Sequence, residues 1–393
     1  GVPVLPSGLF YEHGLLFSYA GAAASALLGF NREVVRATSL IFGLLTVVLT
    51  WYVGRRWYSL GTGLLAATLL AVAPAAVLWG GRARMYTLLQ WWVLLTLYFA
   101  YSGSVTNNRR WQRRLALVCY LGATLTQFVA ITLIPPLALA MVVIGWVRAR
   151  EQRERPWYRA RQVWLDVGGL IVVVLIAFLV KRAGQPKGIA PLEATGAGVA
   201  TGIAQVVAIY GNLSTDLARG WRALAPFFTA PEAILPTALA LLAIGWALAH
   251  LLGRRLTARD LPTLFLALIL AATTLEMVFF VSPERRDDKY LFMLQPALFL
   301  LAADGLTRLA SQIVRAWQTR QAESKSQISD HKYQITNIKS QIFALVGCLM
   351  LVVYAWPATS ALLASTGSDY DTAFGYVRDH WQEGDAVLTG TPS

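Results

Sequence analysis

The sequence has few charged residues and very few carboxylates. Of its 393 residues only 14% are charged, and Asp and Glu together number 21. Soluble domains usually have about 25% charged residues. Hydrophobic residues make up 56% of the chain and collect in apolar runs of roughly 18 residues or more, the length that crosses a bilayer. This composition is not that of an ordinary soluble domain and predicts an all-α polytopic membrane protein.

Cysteine and histidine are also scarce. The two cysteines, Cys119 and Cys348, both lie inside apolar runs, so they indicate neither a disulfide framework nor a metal site. The four histidines are scattered, and there is no Gly-rich phosphate loop or Ser/His/Asp pattern. The sequence therefore predicts no certain cofactor and no metal-ligating residue, although a divalent metal is left open.

Positive charge is abundant, with a net charge of +13. No basic patch lies on a soluble module, so we predict no nucleic-acid binding. The arginines cluster instead in short loops between apolar runs. If the loop after residue 53 is cytoplasmic, the loops on that side hold the majority of the 34 Lys and Arg residues, as the positive-inside rule requires. The loops near residues 80–86 and 282–289 then face the outside.

The hydropathy pattern predicts ten membrane spans and one surface helix. The spans are 34–53, 60–79, 85–102, 114–131, 133–147, 163–180, 233–252, 262–281, 290–307 and 342–362. The stretch 9–29 is interrupted by Glu12 and His13, and we expect it to lie along the membrane surface.

These predictions divide the chain into five parts. They are a first outer loop with the interfacial helix (1–33), a transmembrane domain (34–307), a cytoplasmic low-complexity loop (308–341), a last transmembrane helix (342–362) and the start of an extracytoplasmic α/β domain (363–393). Because the first residue is Gly1 and the final residues resemble a strand that stops early, we expect a fragment that lacks both ends.

Two outer segments hold the residues that could carry chemistry. One contains Arg82, Arg84 and Tyr86, and the other contains Arg285, Arg286 and Lys289. Arginine can hold a phosphate through two parallel hydrogen bonds, which are strong in a poorly solvated site. An outer cavity lined by these groups would suit a substrate with a phosphate head and a lipid tail.

Two carboxylates accompany these basic residues. Glu276 lies within a predicted span, where a carboxylate is costly and usually has a partner or a role, and Glu12 lies in the surface helix. Simpler explanations stay open for each group. The arginines could anchor to lipid headgroups, residues 284–289 could be a solvated turn, Glu12 could polarise a surface helix, and Glu276 could reach the headgroups.

The order of several short motifs resembles the GT-C glycosyltransferases of family 39, which include protein O-mannosyltransferases and lipid A aminoarabinose transferases. The resemblance rests on Gly1–Glu12, Leu28-Gly29, Arg36 with Ser39, Gly54-Arg55-Arg56, the Ala-Arg-Met-Tyr motif ending at Tyr86, Lys289-Tyr290 with Pro296 and Gly305, and the tail from Asp369 to Asp385. The motifs are individually short, and their order and spacing carry the resemblance.

The resemblance implies an enzyme that moves a sugar, with inversion, from a polyprenyl-phosphate donor to a lipid, glycan or protein acceptor. The reaction would occur at the extracytoplasmic side of a plasma membrane, which the lack of eukaryotic features favours as prokaryotic. Arg82 and Arg84 would hold the donor phosphate with Tyr86 nearby, and Arg285, Arg286 and Lys289 would be further contacts.

The catalytic base stays unassigned at this stage. The acidic motif of the family would fall upstream of Gly1, and Arg82 occupies a position where some relatives have Glu. Glu12 is the remaining candidate, for positioning more than for catalysis. Two alternatives stay open: a transporter or flippase of lipid-linked glycans, and a non-catalytic membrane scaffold.

Overall fold

A computed structural model describes residues 14–106, 109–152, 168–176, 179, 217–281, 286–324 and 332–364. Within these ranges every regular element is helical, as the composition predicts. The predicted α/β tail, Glu12 and Arg285 lie outside the described residues.

The described residues in the first half of the chain form seven α-helices. They are α1 (Leu15–Leu28), α2 (Arg32–Trp57), α3 (Leu60–Val72), α4 (Pro74–Gly80), α5 (Tyr86–Tyr101), α6 (Arg110–Thr126) and α7 (Ile134–Gln152). A π-helical turn follows α5, and a 3-10 turn, Phe128–Leu133, joins α6 to α7.

The second half contributes seven more helices after a helical stretch at 168–176. They are α8 (Leu217–Leu224), α9 (Pro226–Thr229), α10 (Pro231–Leu252), α11 (Asp260–Phe279), α12 (Asp288–Leu291), α13 (Gln295–Ser324) and α14 (Lys332–Ala364).

Fewer helices than the predicted ten meet the length and composition of a membrane span. Among the described residues there are five, or six if the bent pair α3–α4 counts as one. The predicted span 60–79 bends by 62° because Ala73 is extended, with ψ of 127°, as expected for the residue before Pro74. The predicted span 114–131 ends its α-helix at Thr126, where Gln127 is also extended.

The predicted loop 308–341 is helical at both of its ends. Helix α13 continues to Ser324 and α14 begins at Lys332. Gln, Ala, Arg and Lys are good helix formers, so a helix already stabilised by packing continues into this polar segment. Residues Leu15–Leu28 of the predicted surface helix form α1, and its place along the membrane surface stays a prediction.

Helix α13 forms the centre of the bundle, and its residues Leu300 to Ala303 are fully buried. Close packing around it depends on small residues. A Cβ at Gly54 on α2 would lie 2.6 Å from the Cα of Gly63 on α3. Backbones that approach this closely need glycine at the contact, which is common between membrane helices.

At one end of the bundle, called here the Arg308 end, a buried ion cluster joins three helices. Arg308 on α13 donates to Asp260 at 2.6 Å and to Asp304 at 2.8 Å. Asp260 on α11 also accepts from Thr257 and contacts His250 of α10 at 3.0 Å. Both carboxylates are fully buried, so the cluster fixes the relative positions of α10, α11 and α13. The cavity described below lies at the opposite end, called the cavity end.

Candidate functional site

The loop that carries Arg84 is fixed through its backbone. Ser39 on α2 donates its hydroxyl to the carbonyl oxygen of Arg84 at 3.0 Å and accepts from the Arg84 amide at 3.1 Å. The carbonyl of Ser39 in turn accepts from the hydroxyl of Thr87 at 2.9 Å. Ser39 is fully buried, whereas the Arg84 side chain is exposed. The guanidinium therefore projects from a rigid backbone.

Trp79 organises the groups on either side of this loop. The guanidinium carbon of Arg82 lies 5.4 Å from the centroid of the Trp79 ring, within the range of a cation–π interaction. The Trp79 ring also packs on Tyr86, with centroids 4.3 Å apart, and on Phe292, at 6.4 Å. Arg82, Trp79 and Tyr86 thus form one contiguous group.

Lys289 approaches the same group from α12. Its ammonium forms a salt bridge of 2.8 Å with Asp287 and interacts electrostatically with Tyr86. Asp287 also caps α12 by accepting from the Lys289 amide at 3.0 Å. Burial raises the pKa of Asp287, but hydrogen bonds from Asp288 and Lys289 outweigh burial, so the pKa lies below its usual value. Asp287 is therefore ionised at neutral pH.

A cavity of about 130 Å³ opens beside this group and shares Trp79 and Lys289 with it. The wall combines apolar residues from α3, α9, α13 and α14 with a few polar groups. The lining residues whose side chains have a polar group are Trp79, Glu232, Asp288, Lys289, Gln295 and Tyr354.

The structure brings together part of the predicted site. Arg82 and Tyr86 contact Trp79 at the cavity end, and Arg84 and Lys289 interact electrostatically with Tyr86. Arg286 does not line the cavity; its side chain is buried and donates to the carbonyl of Val281 at 2.7 Å.

The remaining predicted site residues lie elsewhere. Glu276 is buried in the last turn of α11 and is not part of the cavity lining. Glu12 and Arg285 fall outside the described residues.

Sequence reasoning missed several polar residues of the cavity. Glu232 stands immediately before a predicted span, and Gln295 is a polar residue inside another. A polar residue in or beside an apolar run is the sequence signal that could identify such residues. That signal does not show that Glu232 and Gln295 line the same cavity. Across the described ranges no group of three or more His, Cys, Asp or Glu residues could hold a metal ion.

Comparison with known proteins identifies the fold of the chain. Residues 12–181 match the family described as dolichyl-phosphate-mannose-protein mannosyltransferase. No curated protein sequence matches the chain. The structure of ArnT from Cupriavidus metallidurans in the apo state is similar with a TM-score of 0.56 and 14% identity, over 92% of this chain and 67% of that chain. This chain has the GT-C fold.

A second solved structure has the same fold. The oligosaccharyltransferase of Archaeoglobus fulgidus is similar with a TM-score of 0.55 and 14% identity, over 95% of this chain and 50% of that chain. The GT-C chain described here thus spans about two thirds of ArnT and half of the oligosaccharyltransferase. The recognised resemblance and the predicted membrane-embedded, all-α fold are confirmed.

Proposed function

We propose that this protein is a membrane glycosyltransferase that moves a sugar from a polyprenyl phosphate to an acceptor hydroxyl or amide. The observation that carries the proposal is the clamp of Ser39 on the Arg84 backbone, which presents an exposed guanidinium beside the Arg82–Trp79–Tyr86 group and Lys289. Exposed cations close to a cavity, one of them on a backbone held by hydrogen bonds, are suited to binding a phosphate.

The cations of this site would act on the leaving group, which is the lipid phosphate. As the acceptor oxygen or nitrogen forms its bond to the anomeric carbon, the bond between that carbon and the phosphate oxygen breaks, and its electron pair stays on the phosphate. Cations fixed before the reaction stabilise this developing charge without reorganising. The acceptor proton goes to a carboxylate within hydrogen-bond reach.

Relatives of the same fold support the proposed donor. One structure of ArnT from Cupriavidus metallidurans is bound to undecaprenyl phosphate, and it matches over 90% of this chain with a TM-score of 0.56. A structure of the Archaeoglobus fulgidus enzyme contains dolichol-phosphate and an inhibitory peptide. We extend the lipid-phosphate donor to this chain, with a lipid, glycan or protein as acceptor.

The charge bias of the loops supports an orientation for the site. The predicted outer loops are those that carry Arg84 and Lys289, at the cavity end, and the Arg308 end coincides with arginine-rich loops such as 254–259. We propose that the cavity end faces the extracytoplasmic side of a prokaryotic plasma membrane.

Arg84→Ala tests this function. The full-length protein in lipid nanodiscs is assayed for binding of undecaprenyl phosphate and for its release from undecaprenyl-phosphate-hexose in the presence of a membrane acceptor fraction. We expect turnover to fall by at least about 100-fold, as for the loss of one fixed charge partner in a transition state. Membrane insertion should be unchanged.

Arg222→Ala is the matched control. Arg222 is exposed on α8, bonds the carbonyl of Ala218 in its own helix at 3.3 Å and does not line the cavity. Its variant removes the same charge and should retain activity. Equal binding and turnover in Arg84→Ala and the parent protein would contradict the phosphate clamp.

A further inference from the structure

We infer that the cavity between α4, α10, α12 and α13 holds the transferred sugar of the donor, and that the carboxylate of Glu232 in its wall selects neutral or basic sugars over acidic ones. This inference rests on the proposed function, because it assumes that the neighbouring basic group holds the donor phosphate. It adds a binding pocket and a class of sugar.

The position of the cavity supports a sugar as its occupant. Trp79 and Lys289 belong both to the cavity wall and to the group that contains Arg82 and Tyr86. In a polyprenyl-phosphate sugar, the sugar is bonded directly to the phosphate. A phosphate held at Arg82 and Arg84 would therefore place the attached sugar ring next to Trp79 and Lys289, beside this cavity.

Gln295 offers a buried hydrogen-bond acceptor to a ligand in the cavity. It lines the cavity and only 8% of its surface is exposed, yet its Oε1 atom has no hydrogen-bond partner among the described residues. A buried carbonyl without a partner costs about 1–3 kcal/mol. The terminal torsion of glutamine is soft, so a small rotation presents the amide oxygen to a sugar hydroxyl, and the bound sugar would supply the missing hydrogen bond.

The charges of the cavity wall bear on which sugars it can hold. Glu232 on α10 and Asp288 on α12 both line the cavity. Among the described lining residues the cation is Lys289, which is already paired with Asp287 at 2.8 Å. The half-buried carboxylate of Glu232 can accept hydrogen bonds from hydroxyl or ammonium groups, whereas Asp288 is exposed and hydrogen-bonds Asp287. Glu232 would repel the carboxylate of a uronic acid bound beside it.

The alternative occupant of the cavity is the isoprenoid chain of the lipid. Apolar residues such as Leu69, Phe227 and Leu298 do line it. An isoprenoid would bury Glu232 and Gln295 without providing a single hydrogen bond, which is unfavourable. A sugar ring has both apolar C–H groups and hydroxyls, so it matches this mixture of walls.

Binding measurements on the parent protein test the inference without any variant. The full chain in nanodiscs is titrated with undecaprenyl phosphate and with its glucosyl, glucosaminyl and glucuronyl esters. We expect the glucosyl and glucosaminyl esters to bind about tenfold more tightly than the bare lipid phosphate, as for one or two well-formed hydrogen bonds. The glucuronyl ester should bind more weakly than the glucosyl ester, by about tenfold or more.

Two substitutions assign the effect to residues. Gln295→Leu should remove most of the gain from glucose while leaving the affinity for bare undecaprenyl phosphate unchanged. Glu232→Gln should narrow the preference for glucose over glucuronate by about tenfold. Glu33→Gln is the matched control, because Glu33 is exposed on α2 and pairs with Arg36 at 3.3 Å. It should change none of these affinities.

The outcomes separate the inference from the proposed function. If the sugar esters and the bare lipid phosphate bind equally, or glucuronate binds as well as glucose, the sugar pocket is wrong while the phosphate clamp stands. If Gln295→Leu strengthens binding of the bare lipid, the cavity is an isoprenoid groove. If bare undecaprenyl phosphate does not bind, or binds equally to Arg84→Ala, the proposed function itself fails.

Discussion

The hydroxyl of Ser39 bonds both the carbonyl oxygen and the amide nitrogen of Arg84, at 3.0 and 3.1 Å. The two residues are 45 positions apart and belong to α2 and to the loop before α5. The Arg84 amide also donates to the carbonyl of Arg82 at 2.7 Å, so the turn is held from two directions. One buried hydroxyl thus determines where an exposed guanidinium can reach.

Ser39→Ala should lower transfer activity without unfolding the protein. The substitution removes a hydrogen bond to each side of the Arg84 backbone, a net loss of about 1 kcal/mol, which corresponds to roughly a fivefold effect. We expect kcat/KM to fall by about that factor with little change in Tm. Thr46→Val is the control, because the Thr46 hydroxyl bonds only its own helix, at Phe42. Equal effects of the two variants would contradict a role for the clamp.

Trp79→Leu should weaken donor binding more than Trp79→Phe does. The indole ring contacts Arg82 and Tyr86 on one side and borders the cavity on the other. A cation–π interaction contributes about 0.5–1 kcal/mol at exposed sites, so Leu should raise the Kd for undecaprenyl phosphate by a few-fold. Phe retains an aromatic face and should restore part of the loss. If Leu and Phe bind the lipid equally well, the ring does not position Arg82.

Arg308→Met should strongly destabilise the fold. It leaves Asp260 and Asp304 fully buried without their shared cation, and breaking a buried pair costs about 3–5 kcal/mol. We expect a clear drop in Tm for the detergent-purified protein. Arg315→Met, on an exposed face of the same helix, should leave Tm nearly unchanged. Equal Tm values for the two variants would show that the cluster is not needed for stability.

Gly63→Ala should disrupt the contact between α2 and α3. An added Cβ would lie 2.5 Å from the carbonyl oxygen of Trp51, a distance at which a backbone must move. Gly245→Ala on α10 is the control, since no atom lies within 4 Å of the added Cβ. Alanine is favoured over glycine within a helix by about 1 kcal/mol, so the control should fold normally. The yield of monodisperse protein after size-exclusion chromatography measures the difference.

Much of the fold follows from local pattern. Long apolar runs predict helices such as α2, α10 and α11 within a few residues of their observed ends. The bend between α3 and α4 and the break at Gln127 were missed, because hydropathy is continuous across both. A proline or an extended residue changes the path of the chain without changing its polarity.

The site was predictable only in part. Charges are rare in this chain, so the sequence pattern singles out Arg82, Arg84 and Lys289 as candidate site residues. Arg286 was grouped with them by position in the sequence, yet its side chain is buried and bonds Val281. The Arg308 cluster escaped notice because its members come from separate segments, each with an unremarkable charge.

The sequence alone determined that this protein is a helical membrane protein with its cations concentrated in loops, because hydropathy and charge act along the chain. Its motif order also indicated the GT-C fold. Only the tertiary structure decided which polar groups share a space: Ser39 with Arg84, Arg308 with Asp260, and Glu232 with Gln295 around one cavity. Such partnerships depend on helix rotation and on close packing at residues such as Gly63, which no one-dimensional pattern specifies.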